Sequence, residues 1–206
     1  MNKEALIIFV RQPEWGKVKT RLAAAVGNDQ ALAVYRRLLA HTHSVTAALP
    51  CDKFVFYSDT IGENDLWHYG YGKRRQANGN LGERMKAAFA ELFQQGYQQV
   101  VIIGSDCFAL TTAMIETAFQ ELSGHQVVIG PATDGGYYLL GMQGSVKELF
   151  DHIDWSTDKV FSQTQQHVAK HQYTCKLLPV LPDVDTIADV PESWLLNSSN
   201  AESTSP

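Results

Sequence analysis

Cysteine is scarce in this chain: Cys51, Cys107 and Cys175 are the only thiols in 206 residues, and they lie far apart. That supply builds neither a disulfide framework nor a zinc motif, and it points to a reducing cytoplasm. Cys107 adjoins Asp106, but no His or other base stands near it in sequence, so a buried packing thiol is expected rather than a nucleophile. Long apolar runs are missing as well. The first, Ala5 to Val10, follows Glu4 and is too short for a signal peptide, and no stretch reaches the ~20 residues a membrane helix requires. Basic residues are outnumbered, 17 against 22 acidic, for a net charge of −5. A nucleic-acid partner needs an extended basic face and is excluded on that ground. Two nucleotide fingerprints are absent too. Arg11 stands five residues before Gly16 and Val18 follows Lys17, which rules out G-x-x-x-x-G-K-[ST], and no G-x-G-x-x-G follows the first strand.

With 45% hydrophobic and 19% charged residues, the composition describes one soluble globular domain over 1–196. The polar stretch 197–206 is expected to be a disordered tail. Apolar runs predict strands at Ala5–Val10, Phe54–Tyr57, Val100–Ile103, Val127–Gly130, Tyr138–Met142 and Cys175–Leu178. Helical spacing predicts helices from Leu32 to Val45, capped by Asn28 or Asp29, and over Leu81–Phe93, Ala113–Leu122, Asp158–Lys170 and Ile187–Trp194. Thr60 to Asn80 has no clear period and reads as a substrate-shaping excursion. This alternation is an α/β architecture. The connection between Gly130 and Tyr138 is short enough to join only antiparallel neighbours, so the sheet is mixed.

Three segments carry chemistry. Arg11, Lys17, Lys19 and Arg21 face Glu14 alone within residues 11–21, a local charge of +3 in an acidic chain. A basic loop shaped by Pro13 and Gly16, between a first strand and a helix, suggests a phosphate site; a solvated surface loop is the alternative. The run Val100–Ile103 stops at Gly104 and presents Asp106 at a strand's carboxyl end, where α/β sheets bind ligands. Asp106 there can hold Mg²⁺, whereas Thr111 and Thr112 are better placed to cap the next helix. In the third, Asp134-Gly135-Gly136 joins a carboxylate to a backbone able to approach a ligand, although an ordinary turn reads the same way.

Together with Leu81-Gly-Glu-Arg-Met85 and Pro182-Asp-Val-Asp-Thr186, these segments resemble a bacterial family. It is the cofC-like, arsenosugar-type glycosyltransferase family, also known as domain of unknown function 2064. The likeness runs from about Ala5 to Trp194. The family has Pro after its Asp-Cys pair, and this chain has Phe108. The resemblance implies a single-domain, three-layer α/β/α glycosyltransferase-A fold with a mixed, mostly parallel sheet, of the nucleotide-diphospho-sugar transferase superfamily. It implies nucleotide phosphates bound by Arg11, Gly16, Lys17, Lys19, Arg21 and Gly82. Mg²⁺ or Mn²⁺ would be held by Asp106 and Asp185, and an acceptor by Asp134, Gly135, Gly136, Tyr137 and Trp155, with Asp134 and Lys19 catalytic.

From the residues alone, Asp185 is also a plausible helix cap. Asp183 shares its direction across Val184. Trp155 suits core packing as well as acceptor binding, and His167 and His171, lacking a third ligand, are read as exposed helix residues rather than a zinc pair. Three functions stay in play: glycosyl transfer from a nucleotide sugar to a small-molecule acceptor, which is preferred; nucleotidyl transfer from a nucleoside triphosphate to a phosphorylated small molecule; and nucleotide binding without turnover. No membrane partner is expected, and the oligomeric state is not encoded in any motif.

Overall fold

The structure is a computed structural model that describes residues 3–195, so the tail expected over 197–206 lies outside the described residues. Seven strands, β1 (Glu4–Val10), β2 (Asp52–Tyr57), β3 (Tyr71–Arg75), β4 (Gln99–Ile103), β5 (Val127–Pro131), β6 (Tyr137–Gln143) and β7 (Cys175–Leu177), form one sheet in the order β3-β2-β1-β4-β6-β5-β7. All pairings are parallel except those of β6, which runs against both β4 and β5. The short Asp-Gly-Gly connection imposes this reversal.

Five α-helices, α1 (Thr20–Val26), α2 (Asn28–Ala47), α3 (Leu81–Gln94), α4 (Thr112–Glu121) and α5 (Val160–Lys170), complete the fold. The sheet is covered on both faces, which is why β4 reads as an unbroken apolar run. Alternate residues of β1 part company: Leu6, Ile8 and Val10 join Tyr35 and Leu39 of α2 and Ile115 and Phe119 of α4. Ala5 and Ile7 face Met85, Phe89 and Leu92 of α3, with Phe161 and Val168 of α5 packed against the same cluster. Three layers, helix, sheet and helix, are the result.

Several elements differ from the sequence reading. α1 precedes α2 and was hidden by its seven-residue length. Asn28 and Asp29 do not cap α2: they lie in its first turn behind Gly27, whose φ of +81° suits a bend no side chain needs to cap. Asp29 instead accepts a hydrogen bond from Trp15 Nε1 at 3.0 Å. The 60–80 excursion contains β3, an edge strand whose sequence, Tyr-Gly-Lys-Arg-Arg, lacks the apolar face of a buried strand. Pro191 splits the expected final helix into 3₁₀ turns at Ile187–Asp189 and Glu192–Trp194.

Phe108 occupies a wedge between His41 and Trp194, with ring centroids 4.6 and 4.5 Å away. It thereby ties the last described segment to α2.

β1 has β2 on one side and β4 on the other, so the chain order reverses at β1 and opens a crevice at the carboxyl edge. Because β6 is antiparallel, the loop before it reaches that same edge. α3 enters it through a reciprocal cap: Asn80 Oδ1 accepts from the Glu83 amide at 3.0 Å, and Glu83 Oε2 accepts from the Asn80 amide at 2.8 Å. Asn80→Ala is expected to lower unfolding free energy by about 1 kcal/mol, read from the urea midpoint. An unchanged midpoint contradicts this role for the cap.

Candidate active site

The loop leaving β1 is built from both ends. Tyr35, buried on α2, accepts from the Arg11 amide and donates to the Arg11 carbonyl, each at 3.0 Å, so its hydroxyl fixes the turn out of the strand. The Arg11 guanidinium donates to the Lys17 carbonyl at 3.0 Å and pairs with Asp59 at 3.6 Å. Lys17 itself points to solvent and pairs with Glu14. Lys19 is left-handed, at φ 45° and ψ 49°, immediately before α1. For a residue with a Cβ that conformation costs on the order of 1–2 kcal/mol, and the surrounding contacts must hold it.

Those contacts are ionic. Lys19 Nζ lies 3.0 Å from Asp106 Oδ1 and 3.0 Å from Asp185 Oδ1, and its side chain is only 5% exposed. Burial opposes the ammonium charge, but attraction to Asp106 and Asp185 outweighs it, and the Lys19 pKa is raised. Arg21 adds a longer contact to Asp185, 3.7 Å. The segment carrying Asp185 is strapped across Asp106 by the Val184 amide, which donates to the Asp106 carbonyl at 3.0 Å. Neither carboxylate is engaged as a helix cap. Thr111 caps α4, accepting from the Met114 amide at 3.3 Å, and Thr186 with Asp189 caps the turn after Asp185.

Asp183 joins this acidic group. Burial, with repulsion from Asp134 and Asp106, pushes its pKa up to about 7. The Cys107 thiol is driven up to about 12 by burial and by Asp183, so it stays protonated and packs, as its neighbourhood in sequence suggested. Asp134 is exposed, and its Oδ1 accepts from the Gly136 amide at 2.8 Å, a turn-forming bond. Gly135 has φ +89°, and a Cβ there would meet the Asp158 carbonyl oxygen at 2.2 Å.

A cleft of about 490 Å³ collects these groups. Arg11, Lys19, Arg21, Asp106, Asp183, Asp185 and Tyr137 line it, together with Ser58, Gln76 and Arg84 toward the β2–β3 side. Gln76 is held by donating to the Phe56 carbonyl at 2.9 Å, and its Oε1 accepts from Arg84 at 3.0 Å. Asp183, Gln76 and Arg84 were not singled out for roles. The signals existed: Asp183 shares a strand direction with Asp185, and Arg84 falls on one helix face with Leu81 and Met85.

Gly16, Lys17, Gly82 and Trp155 do not line the cleft, and the Asp134-Gly135-Gly136 turn adjoins it rather than forming its wall. Gly82 is buried under Trp155, where a Cβ would come within 2.1 Å of the indole, and Trp155 stacks on Phe150 at 6.2 Å. Core packing accounts for both. His167 of α5 and His171, just past the end of that helix, stack on each other at 6.3 Å and do not line the cleft.

Among the described residues no three His, Cys, Asp or Glu side chains form a closed metal cage. Mg²⁺ does not require one, because it is commonly held by one or two carboxylates with phosphate oxygens and water completing its shell. Asp106 and Asp185, converging on one ammonium, are a carboxylate pair of that kind. No helix is long and apolar enough to cross a membrane, among the described residues.

A family model described as an uncharacterized protein conserved in bacteria (DUF2064) matches residues 40–157. A protein from Desulfovibrio desulfuricans G20, provisionally named a nucleotide-diphospho-sugar transferase, is 34% identical, with a TM-score of 0.83 over 90% of this chain and 84% of that one. The inositol-1-phosphate CTP transferase from T. maritima shares the fold at 14% identity, with a TM-score of 0.58 over 93% of each chain. A manganese complex of Rv0371c from Mycobacterium tuberculosis H37Rv does so at 12% identity, with a TM-score of 0.56 over 92% of this chain and 96% of that one. No curated protein matches.

The turn at Gly135 generates a prediction. Gly135→Ala combines a disfavoured φ with a backbone clash against Asp158, and is expected to cost roughly 2 kcal/mol or more in stability. Thermal denaturation reads this, and a wild-type melting temperature contradicts it.

Proposed function

We propose that this chain, which belongs to the bacterial family DUF2064, is a metal-dependent transferase that takes a glycosyl group from a nucleotide sugar and delivers it to a small-molecule acceptor. The observation that carries the reading is the convergence of Lys19, Asp106 and Asp185 at the point where strand order reverses. The name given to the relative from Desulfovibrio desulfuricans G20 agrees with a nucleotide-activated donor, and the manganese complex of the Mycobacterium tuberculosis neighbour agrees with a divalent ion.

Transfer leaves negative charge on the departing nucleoside diphosphate. Lys19, Arg21 and Arg11 line the cleft and would donate to its phosphate oxygens, offsetting that charge where it grows. Asp106 and Asp185 would hold Mg²⁺ or Mn²⁺, which supplies Lewis-acid neutralisation of the same phosphates. The acceptor hydroxyl forms its bond to the anomeric carbon as the carbon–oxygen bond to phosphate breaks and its electrons leave with the diphosphate. Asp134, with Oδ2 free of the turn's bond, would accept the hydroxyl proton. Gln76 and Arg84 extend the polar wall beyond the phosphate region.

A second reading is favoured by one specific contact. Asp134 Oδ1 is already committed to the Gly136 amide, as a turn former's would be. A nucleotidylyltransferase joining a nucleoside triphosphate to an ionised phosphate acceptor needs no base, and leaves Asp134 that structural duty alone.

Two measurements decide between these readings. A thermal-shift panel of nucleotide sugars and nucleoside triphosphates, with and without Mn²⁺, should show stabilisation by a nucleotide sugar with metal, amounting to about 2.7 kcal/mol at a hundredfold excess over Kd. No response to any nucleotide overturns the proposed function. Asp134→Asn keeps shape and the turn's acceptor but removes basicity, so nucleotide affinity should persist while transfer falls by roughly 10². Transfer at the wild-type rate removes Asp134 as the base, and stabilisation by a nucleoside triphosphate but by no nucleotide sugar favours the nucleotidylyltransferase reading.

A further inference from the structure

The two carboxylates that would bind the metal are the two that touch Lys19. Its ammonium stands 3.0 Å from Asp106 Oδ1 and 3.0 Å from Asp185 Oδ1, in a side chain 5% exposed. A divalent cation entering between those oxygens would face a resident positive charge at contact distance, and both cannot keep the same partners. Nor can Lys19 simply lose them. A buried ammonium without an anion is strongly disfavoured, so it must acquire another negative partner as it lets the carboxylates go. The neighbouring cations, Arg21 at 3.7 Å from Asp185 and Arg11 within the same lining, cannot supply one, and Asp183, the remaining carboxyl of that lining, forms no ion pair with Lys19. A ligand phosphate can.

Building on the proposed function, we propose that Lys19 is the internal competitor of the metal: ammonium and divalent ion alternate on Asp106 and Asp185, and nucleotide phosphate draws the lysine away. The protein then binds free metal weakly and takes up metal and nucleotide together. Lys19 acts here as a positioning residue that makes metal entry conditional on the nucleotide, beyond any contribution to transition-state charge. Its left-handed backbone, at φ 45°, suits such a part, because it aims the side chain back into the acidic group rather than along α1.

The test is a Mn²⁺ titration, by calorimetry and by electron paramagnetic resonance, of wild type and Lys19→Met in the absence of nucleotide. Methionine keeps the unbranched stem and removes the charge. The variant is expected to bind Mn²⁺ roughly tenfold tighter or more, since its carboxylates are left with no internal cation between them. Equal affinity in the two proteins overturns the inference while leaving the metal site intact.

If Lys19→Met does not fold, as read by circular dichroism, a wild-type crystal soaked with Mn²⁺ and a nucleoside diphosphate decides. Lys19 Nζ is expected on the phosphate; Nζ still hydrogen-bonded to both carboxylates with Mn²⁺ bound to them overturns the proposal. Absence of Mn²⁺ binding in wild type even with the diphosphate present overturns the metal reading itself, and this inference falls with it.

Discussion

One ammonium closes this molecule's site. Lys19 and Asp185 are 166 residues apart, yet the 3.0 Å contact between them, shared with Asp106, joins the loop after the first strand to the segment after the last. Its setting explains why the rest is built as it is. The carbonyl of Asp106 receives the Val184 amide, the Arg11 backbone is gripped by Tyr35, and Phe108 wedges between His41 and Trp194. Each of these contacts holds a loop that would otherwise be free to carry its charge into solvent. A buried lysine between carboxylates is stabilising only while all partners stay in register; removal of one leaves an uncompensated charge, which typically costs 3–5 kcal/mol.

The sheet supplies that register without devoting residues to it. Parallel strands β1, β4, β5 and β7 deliver their carboxyl ends to one edge. The single reversed strand, β6, then brings the loop before it to that edge too. Acidic and basic side chains from four loops are therefore concentrated in one place, although the chain as a whole carries only −5. The raised pKa of Asp183 reflects its burial first and this crowding of carboxylates second.

Much of this was legible in the residues. β-branched runs announced the buried strands, and the brief turn at Gly135 announced the antiparallel pair, since both depend on local pattern. The convergence of Asp106 with Asp185 came from family likeness and not from spacing, because nothing local encodes a contact across so long a chain. The misses were equally physical. β3 is an edge strand and shows no apolar face, α1 is barely two turns, and Gly27 rather than a polar cap starts α2. Gly82 stood in a motif that looked ligand-facing, and Trp155 was open to core packing as well as acceptor binding; the two are packed on each other, a relation visible only once α3 and the loop before α5 are side by side. Arg84 escaped notice because a charged residue on an amphipathic helix ordinarily faces solvent.

The strap formed by residues 182–186 has a consequence for synthesis. A nascent chain leaves the ribosome from its N-terminus, so Lys19 is made long before either aspartate it will meet. Asp106 follows at mid-chain, and Asp185 arrives only when all seven strands of the sheet have already been translated. Until that last strap emerges, a growing chain holds a half-matched ion pair and an acidic gap. Completion of the acidic group around Lys19 is thus deferred until after every strand of the sheet has been made.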